Sequence, residues 1–352
     1  MPPRFDVLTV SRVESLCDDA AAVTFAVPPE LAATYAFGPG QSLTLRREVD
    51  GREERRSYSI CAPVGAAPRV GVRVVPDGVF STWLVHDVRP GDEVEVQAPS
   101  GSFTLDPATG GRHVLVAAGS GITPMMSIAS SLLDGSDAHV TLLYGNRRTT
   151  SVMFTEELAD LKDRHGPRFD LVHVLSREPR EVELFSGRLD ADRIERILRA
   201  LVPVDDVDGF WLCGPLEMVE SARELLLRLG VDRDRVHAEL FHAGDVPPPP
   251  VVRPEGAPEG PTSTVTVTLD GRSSELVLAR DRPLLDSAQA SRPDLPFACR
   301  GGVCGTCRAQ VTVGEVDMRR NYALEDREVE AGFVLTCQSY PVSDVLVVDY
   351  DC

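Results

Sequence analysis

No stretch of this 352-residue chain approaches the roughly 20 consecutive apolar residues that a membrane helix needs. Its first residues, MPPRFDVLTV, lack the apolar core of a secretory leader. Lysine is nearly missing: Lys162 is the only one and every other basic residue is arginine, a bias from which no mechanism follows. Positive charge is in deficit as well. With 36 Lys and Arg against 54 Asp and Glu, the net charge is −18, which argues against nucleic acid and anionic membrane surfaces as partners. No fixed-period repeat occurs. These absences predict a cytoplasmic globular protein, and the length gives room for two or three domains. Thiols stay reduced in the cytosol, so clustered cysteines there point to metal or catalysis rather than disulfides. Of the eight cysteines, Cys17, Cys61, Cys213 and Cys352 are scattered, while Cys299, Cys304, Cys307 and Cys337 form a spaced set.

Residues 1–108 read as short strands: AAVTFAV, SLTLRREV, RRSYSI, RVGVRVV and DEVEVQA are Val-rich and partly alternating. Asp50-Gly51 between two of them is a hairpin signal. Strands without long helical patterns predict a small antiparallel barrel. Residues 109–244 change character. HVLVAAG is a continuous apolar run, as a buried parallel strand should be. Strand-like and helix-like segments then alternate through VTLLYG, FTEELADLKDRHG, FDLVHVLS, LDADRIERILRALV, GFWLCG and LEMVESARELLLRLG, which predicts a doubly wound α/β sheet. Residues 245–261, DVPPPPVVRPEGAPEGP, read as a semi-extended linker. The last segment, 262–352, opens with TVTVTLDGRSSELVL, a hairpin turning at Asp270-Gly271.

The sharpest chemical signal is Cys299-x4-Cys304-x2-Cys307 with Cys337 far downstream, the spacing of a plant-type [2Fe–2S] site. Four thiolates must converge on two irons, so the loop has to wrap closely; Gly301, Gly302 and Gly305 permit that and expose N–H groups to the sulfurs. Structural zinc sites usually use two short Cys pairs instead.

Three further segments suit nucleotide chemistry. Arg56-Ser57-Tyr58-Ser59 offers a pyrophosphate clamp, an aromatic ring to stack and a hydroxyl for a ring nitrogen; taken alone, a surface strand explains it as well. Gly78-Val-Phe-Ser81-Thr82 before an apolar helix suits an anion, or is a simple N-cap. Gly119-Ser-Gly121-Ile-Thr123-Pro124 follows a strand, and its glycines let backbone approach a phosphate while Pro124 suits the first helical position. It is not the full dinucleotide fingerprint, since Pro124 stands where a third glycine would. Later strand ends carry Tyr144-Gly145-Asn146-Arg147, Ser176-Arg177 and Cys213-Gly214-Pro215, where ligands of open α/β sheets bind. Ser176 and Arg177 can grip an adenosine 2′-phosphate, or Arg177 is a solvated charge. Cys213 can meet a nicotinamide, or is a small buried apolar residue.

In this order the pieces resemble the ferredoxin–NADP reductase superfamily fused to a C-terminal plant-type ferredoxin, across nearly the whole chain except the linker. The resemblance implies an FAD barrel, an NAD(P)H-binding α/β domain and a β-grasp [2Fe–2S] domain. It implies Arg56 at the FAD pyrophosphate with Ser57 beside it, Tyr58 and Ser59 near the isoalloxazine, and Gly78, Ser81 and Thr82 at the second phosphate segment. Gly119, Gly121, Pro124, Arg147, Ser176, Arg177, Gly214 and Pro215 would line the NAD(P)H site, with Thr123 and Cys213 beside the nicotinamide. Phe241 in HAELFH would shield the flavin. Cys299, Cys304, Cys307 and Cys337 would be the metal ligands.

A narrower likeness runs through YGNRRTTSVMFTEELADLKDRH, FDLVHVLSREPREVELFSGRLD, FWLCGPLEMVE and RNYALEDREVEAGFVLTCQSYP, which are similar to the reductase components of the phenylacetyl-CoA epoxidase family. It implies NADPH as donor, with NADH second, and a multisubunit di-iron oxygenase of phenylacetate breakdown as acceptor. Reductases of 3-ketosteroid 9α-hydroxylases and Rieske-type oxygenases share the core motifs and stay open as alternatives, as does a non-enzymatic electron carrier. A hydride delivers two electrons and an iron–sulfur centre accepts one, so a flavin has to stand between them.

Overall fold

The structure, a computed structural model, describes residues 5–49, 51–241 and 261–352. The described residues divide into two compact units, one running to Phe241 and the other from 261 to 352.

In the first unit, strands β1 (Phe5–Cys17), β2 (Ala20–Ala26), β3 (Ser42–Val49), β4 (Arg52–Ser59), β5 (Arg69–Arg73) and β6 (Glu93–Gln97) form an antiparallel sheet ordered β4-β3-β6-β1-β2-β5. An antiparallel bridge between Ile60 and Val70 joins its two ends, so the sheet closes into the expected barrel. β3 and β4 pair up to Val49 opposite Arg52, around the Asp50-Gly51 turn. The interior is filled by Phe25, Leu43, Leu45, Ile60 and Val96, and helix α1 (Val79–His86) inserts Phe80 and Leu84. The long β1 escapes the sequence reading. Only its first half alternates, and its pairing with β2 shifts register twice, between Val10 and Arg12 and between Ser15 and Cys17, which erases a period-2 signal.

The same unit continues with β7 (Arg112–Ala118), α2 (Ile122–Gly135), β8 (His139–Asn146), α3 (Thr155–His165), β9 (Phe169–Leu175), α4 (Ala191–Leu201), β10 (Gly209–Gly214), α5 (Leu216–Arg228) and β11 (Val236–Leu240). The five strands are parallel and ordered β11-β10-β7-β8-β9, a doubly wound arrangement whose strand order reverses between β7 and β10. Apolar runs make the strands buried on both faces; Val114, Leu115, Val116 and Ala117 are all essentially inaccessible. Helix α4 starts where the Asp190 carboxylate accepts the Arg193 N–H at 3.0 Å, and it turns Ile194, Ile197 and Leu198 inward.

In the second unit, β12 (Thr262–Leu269), β13 (Arg272–Ala279), α6 (Leu284–Ala288), β14 (Arg308–Val313), β15 (Val316–Met318), α7 (Asp326–Glu330), β16 (Phe333–Leu335), β17 (Ser339–Pro341) and β18 (Val345–Asp349) build a mixed sheet ordered β13-β12-β18-β14-β16 and a small β15–β17 ribbon. The parallel β12–β18 pair inside the sheet, with α6 packed against β13, gives the β-grasp layout. Asp270 and Gly271 both have positive φ, 55° and 68°, as a two-residue I′ turn requires. Residues 245–260 of the proline-rich linker lie outside the described residues. Among the described residues no helix is long and apolar enough to cross a membrane.

Candidate functional site: three nucleotide and metal stations

Cys299, Cys304 and Cys307 lie on the loop before β14, and Cys337 on the turn between β16 and β17; Cys307 and Cys337 are 3% exposed. Thr336 ties the two stretches together, its N–H and its hydroxyl both donating to the Cys307 carbonyl at 3.2 and 2.9 Å. Cys299 stands beside Cys304, whose Sγ accepts the Cys299 N–H at 3.5 Å, and Cys307 stands beside Cys337. A bond from the Cys304 thiol, with backbone N–H groups of Gly301, Val303 and Cys304, pulls Cys299 down to about 6 against the effect of burial. Cys304 and Cys307 move the other way, each raised by its partner and then by burial. Two pairs of thiols suit a two-iron cluster, in which each iron takes two thiolates.

The wrap of this loop rests on unusual backbone. Gly302 and Gly305 have φ of 81° and 66°, and so does a non-glycine, Arg300, at 52°. Arg300 is held there by its ion pair with Asp286, its bond to Gln289 and its position 4.4 Å over the Phe297 ring.

On β4, Arg56 and Tyr58 share one face and Ser57 and Ser59 the other. Arg56 is exposed, paired with Glu54 at 2.9 Å and donating to the Arg55 carbonyl at 2.7 Å. Tyr58 lies 6.1 Å from the Phe80 ring, and burial pushes its phenol up. Ser57 meets the Thr44 hydroxyl at 3.0 Å. Gly78 precedes α1, and Thr82 is exposed on its first turn. Ser81 differs from the sequence expectation of a ligand-facing hydroxyl. It is buried, accepts the Val75 N–H at 3.0 Å and donates to the Gly78 carbonyl at 3.2 Å, so its oxygen shapes the turn.

The reversal point of the parallel sheet gathers the next group. Gly119 has φ 56°, open only to glycine at little cost. A Cβ on Gly121 would stand 2.2 Å from the Cys213 carbonyl oxygen, so the glycine turn after β7 and the end of β10 are in contact. Helix α2 starts at Ile122, which puts Pro124 at the third helical position rather than the first; the missing N–H is harmless anywhere in the first turn. Thr123 donates to the Ser120 carbonyl at 3.0 Å, and its methyl rests on the barrel at Gly71. Gly214 packs against Met218, and Pro215 is the exposed N-cap of α5. Arg147 and Arg177 are exposed at the ends of β8 and β9, joined by a 2.8 Å backbone bond, with Ser176 bonded likewise to Asn146. Phe241 is half-buried against the core of the nucleotide domain.

A further residue had no signal in the sequence. Glu239 on β11 lies opposite Cys213 on β10, and its carboxylate accepts the Ser59 hydroxyl at 3.2 Å. Burial pushes this carboxyl up to about 8, with the Ser59 bond opposing. Burial and then the Glu239 charge raise the fully buried Cys213 thiol, so Cys213 is a neutral thiol and no nucleophile. Ser59, Glu239 and Cys213 are thus linked across the barrel and the parallel sheet, while Tyr58 faces away from Ser59. Only the periodicity of HAELFH, too short to read, carried Glu239.

Comparison with known proteins gives three consecutive family models: an oxidoreductase FAD-binding domain over residues 7–105, an oxidoreductase NAD-binding domain over 115–224 and a 2Fe-2S iron-sulfur cluster binding domain over 267–342. The chain is 40% identical to one of the subunits of the 1,2-phenylacetyl-CoA epoxidase of Escherichia coli, covering 99% of this chain and 98% of that one. It is 36% identical to the ferredoxin reductase component of 3-ketosteroid-9-alpha-monooxygenase of Rhodococcus rhodochrous, over 98% and 96%. Its fold matches the solved phthalate dioxygenase reductase, described as a modular structure for electron transfer from pyridine nucleotides to [2Fe–2S], with TM-score 0.61, 25% identity and 98% of each chain covered. The chain is therefore a pyridine-nucleotide-dependent oxidoreductase with FAD-binding and [2Fe–2S] domains, and it belongs to the ferredoxin-reductase family that contains these reductase components.

Proposed function

We propose that this chain draws reducing equivalents from NADPH and delivers them singly, through its cysteine-held [2Fe–2S] cluster, to the oxygenase component of a multisubunit complex. The oxygenase we assign is the di-iron phenylacetyl-CoA 1,2-epoxidase of phenylacetate breakdown. The observation that carries this reading is the 40% identity to the Escherichia coli epoxidase component, sustained over 98% of that protein. A cytoplasmic site is part of the reading, since the cluster thiols need a reducing compartment. So are domain limits of 1–108, 109–244 and 262–352 around the 245–261 linker, supported by the extents of the three family matches.

FAD supplies the conversion between paired and single electrons when bound. The chain's own residues hold and orient. Arg56 would clamp the pyrophosphate from β4, with Gly78 and Thr82 offering the α1 N-terminus from the other side. Tyr58 gives a flat apolar wall. Gly119 and Gly121 let backbone N–H groups approach the dinucleotide phosphates. Thr123 and Cys213 would flank the nicotinamide, and Phe241 would exclude water. Glu239, with its pKa near 8, keeps a proton on its carboxyl at neutral pH beside Ser59. NADPH over NADH is supported by Ser176 and Arg177, whose hydroxyl and guanidinium suit a 2′-phosphate. Residues 262–352 carry 14 acidic and 9 basic side chains, so a basic face on the oxygenase would complement them.

The test is an absorption spectrum of the purified protein before and after anaerobic NADPH, followed by addition of purified phenylacetyl-CoA epoxidase oxygenase. Flavin and cluster bands should bleach, then recover as the oxygenase takes electrons. A preparation without both chromophores, or one the oxygenase fails to reoxidise, overturns the reading. The 36% identity to the 3-ketosteroid-9-alpha-monooxygenase component supports a second acceptor. Faster reoxidation by that oxygenase would replace the first assignment.

A further inference from the structure

The C-terminal tail reaches a cysteine-bearing loop through one fully buried side chain. Thr336 is 0% exposed. Its N–H and its hydroxyl both donate to the Cys307 carbonyl, and its own carbonyl accepts the Leu285 N–H at 3.1 Å. The Thr336 hydroxyl oxygen also accepts the phenol of Tyr350 at 2.9 Å. Tyr350 directly follows β18, the last strand. Two hydrogen bonds in series thus run from the tail to the carbonyl of Cys307.

Tyr350 is itself held in place. Its N–H donates to the Thr268 carbonyl at 2.9 Å, and the Asp351 carboxylate accepts the N–H groups of Asp270 and Gly271 at 2.6 and 2.8 Å. The tail is therefore tied to the turn between β12 and β13. The phenol points inward, close enough for the Cys307 and Cys337 thiols to act on it. To fill the core alone a phenylalanine would serve, since only the hydroxyl of a tyrosine needs a polar partner. A hydroxyl has one proton to give. Tyr350 gives its own to Thr336, which directs the Thr336 proton to Cys307. Donors in such a chain polarise one another, so the outer bond strengthens the inner one. The carbonyl oxygen of a ligand residue carries negative partial charge beside the metal and opposes an added electron. Donors on that oxygen offset the charge, and potentials of iron–sulfur centres respond to the hydrogen bonds around their ligands.

We propose that Tyr350 is a positioning residue for the iron–sulfur centre: by orienting the Thr336 hydroxyl onto the Cys307 carbonyl, it raises the midpoint potential of the cluster and favours its reduction. This proposal rests on the reading of Cys299, Cys304, Cys307 and Cys337 as the cluster ligands.

The experiment uses the full-length protein carrying flavin and cluster. Iron content, melting temperature and the cluster midpoint are measured for the parent, Tyr350→Phe, Thr336→Val, Thr336→Ser and the variant combining Tyr350→Phe with Thr336→Val. The midpoint is read by reductive titration with redox dyes, following the electron paramagnetic resonance signal of the reduced cluster. Tyr350→Phe should keep its iron while the equilibrium constant for cluster reduction falls about threefold. Thr336→Val should lower that constant about tenfold, which for one electron is a midpoint about 59 mV more negative. Thr336→Ser keeps the hydroxyl and should hold the parent midpoint. Because Tyr350 acts through Thr336, the combined variant should match Thr336→Val rather than add the two shifts. A Tyr350→Phe protein that keeps the parent midpoint, or that loses its iron, overturns the proposal and leaves the tail a structural clamp. Additive shifts in the combined variant overturn it as well. Tyr350→Phe against the parent decides the matter if Thr336→Val fails to fold. A parent without an iron–sulfur signal sinks the ligand reading, and this proposal with it.

Discussion

Ser59 Oγ donates to Glu239 Oε2 across 3.2 Å, joining the last residue of β4 to a residue of β11 that lies 180 positions away. The bond crosses from the barrel that suits a flavin to the sheet that suits a pyridine nucleotide, and it ends on a carboxyl whose burial raises its pKa from 4.5 to about 8. A carboxyl raised in the folded state contributes its full stability below its unfolded pKa and loses it as the pH climbs through the folded value. Glu239→Gln should therefore melt with the parent near pH 4.5, gain on it progressively up to about pH 8, and keep a constant lead above that. Melting temperatures across this range check it; a lead that does not change with pH removes the titration.

Gly71 on β5 lies at a close contact between barrel and nucleotide domain. A Cβ there would stand 2.6 Å from Thr123 Cγ2 and 2.8 Å from Phe154 Cζ, both on buried residues. Gly71→Ala should destabilise the first unit by about 1–3 kcal/mol, the usual cost of overpacking. By shifting Thr123 it should also slow flavin reduction by NADPH, with cluster absorption untouched. Stopped-flow reduction at the wild-type rate would count against Thr123 as a nicotinamide neighbour.

Cys307 and Cys337 lie side by side in the second unit; if both are ligands, loss of either thiol leaves the cluster one protein ligand short. Cys337→Ser should reduce bound iron to background while the yellow flavin remains and is still reduced by NADPH. Iron analysis alongside the visible spectrum decides it. Retention of a full complement of iron would mean that Cys337 is no ligand.

Arg177 is exposed at the end of β9 and makes no side-chain ion pair among the described residues. Hydrogen bonds to charged groups are worth about 1.5–3 kcal/mol. Arg177→Ala should then raise KM for NADPH by roughly 10- to 100-fold, with KM for NADH held within about twofold. Equal losses for both nucleotides would show that the 2′-phosphate is not what this guanidinium reads.

Local features reached the fold directly. The Cys299-x4-Cys304-x2-Cys307 spacing, the Asp270-Gly271 turn and the alternation of apolar runs with amphipathic segments are each contained within a few residues. Their meaning survives without knowing what packs against them. Asp190 as the cap of α4 and Gly119 at positive φ belong to the same class. β1 did not, because two shifts of register broke its alternation. Ser81 could not be read for a related reason: a hydroxyl near a helix start has the same composition whether it faces a ligand or folds back on its own turn.

By itself the sequence determined the order of three domains, the four thiols and the glycines that permit tight backbone, since these depend on covalent spacing and local conformational freedom. Only the tertiary structure decided that Cys299 falls beside Cys304 and Cys307 beside Cys337, and that Glu239 meets Ser59 beside Cys213. Each of these depends on which strands become neighbours in a closed barrel or a doubly wound sheet, or on how a loop closes on itself. Neighbours of that kind, and the desolvation that moves a carboxyl's pKa, come into being when the chain packs.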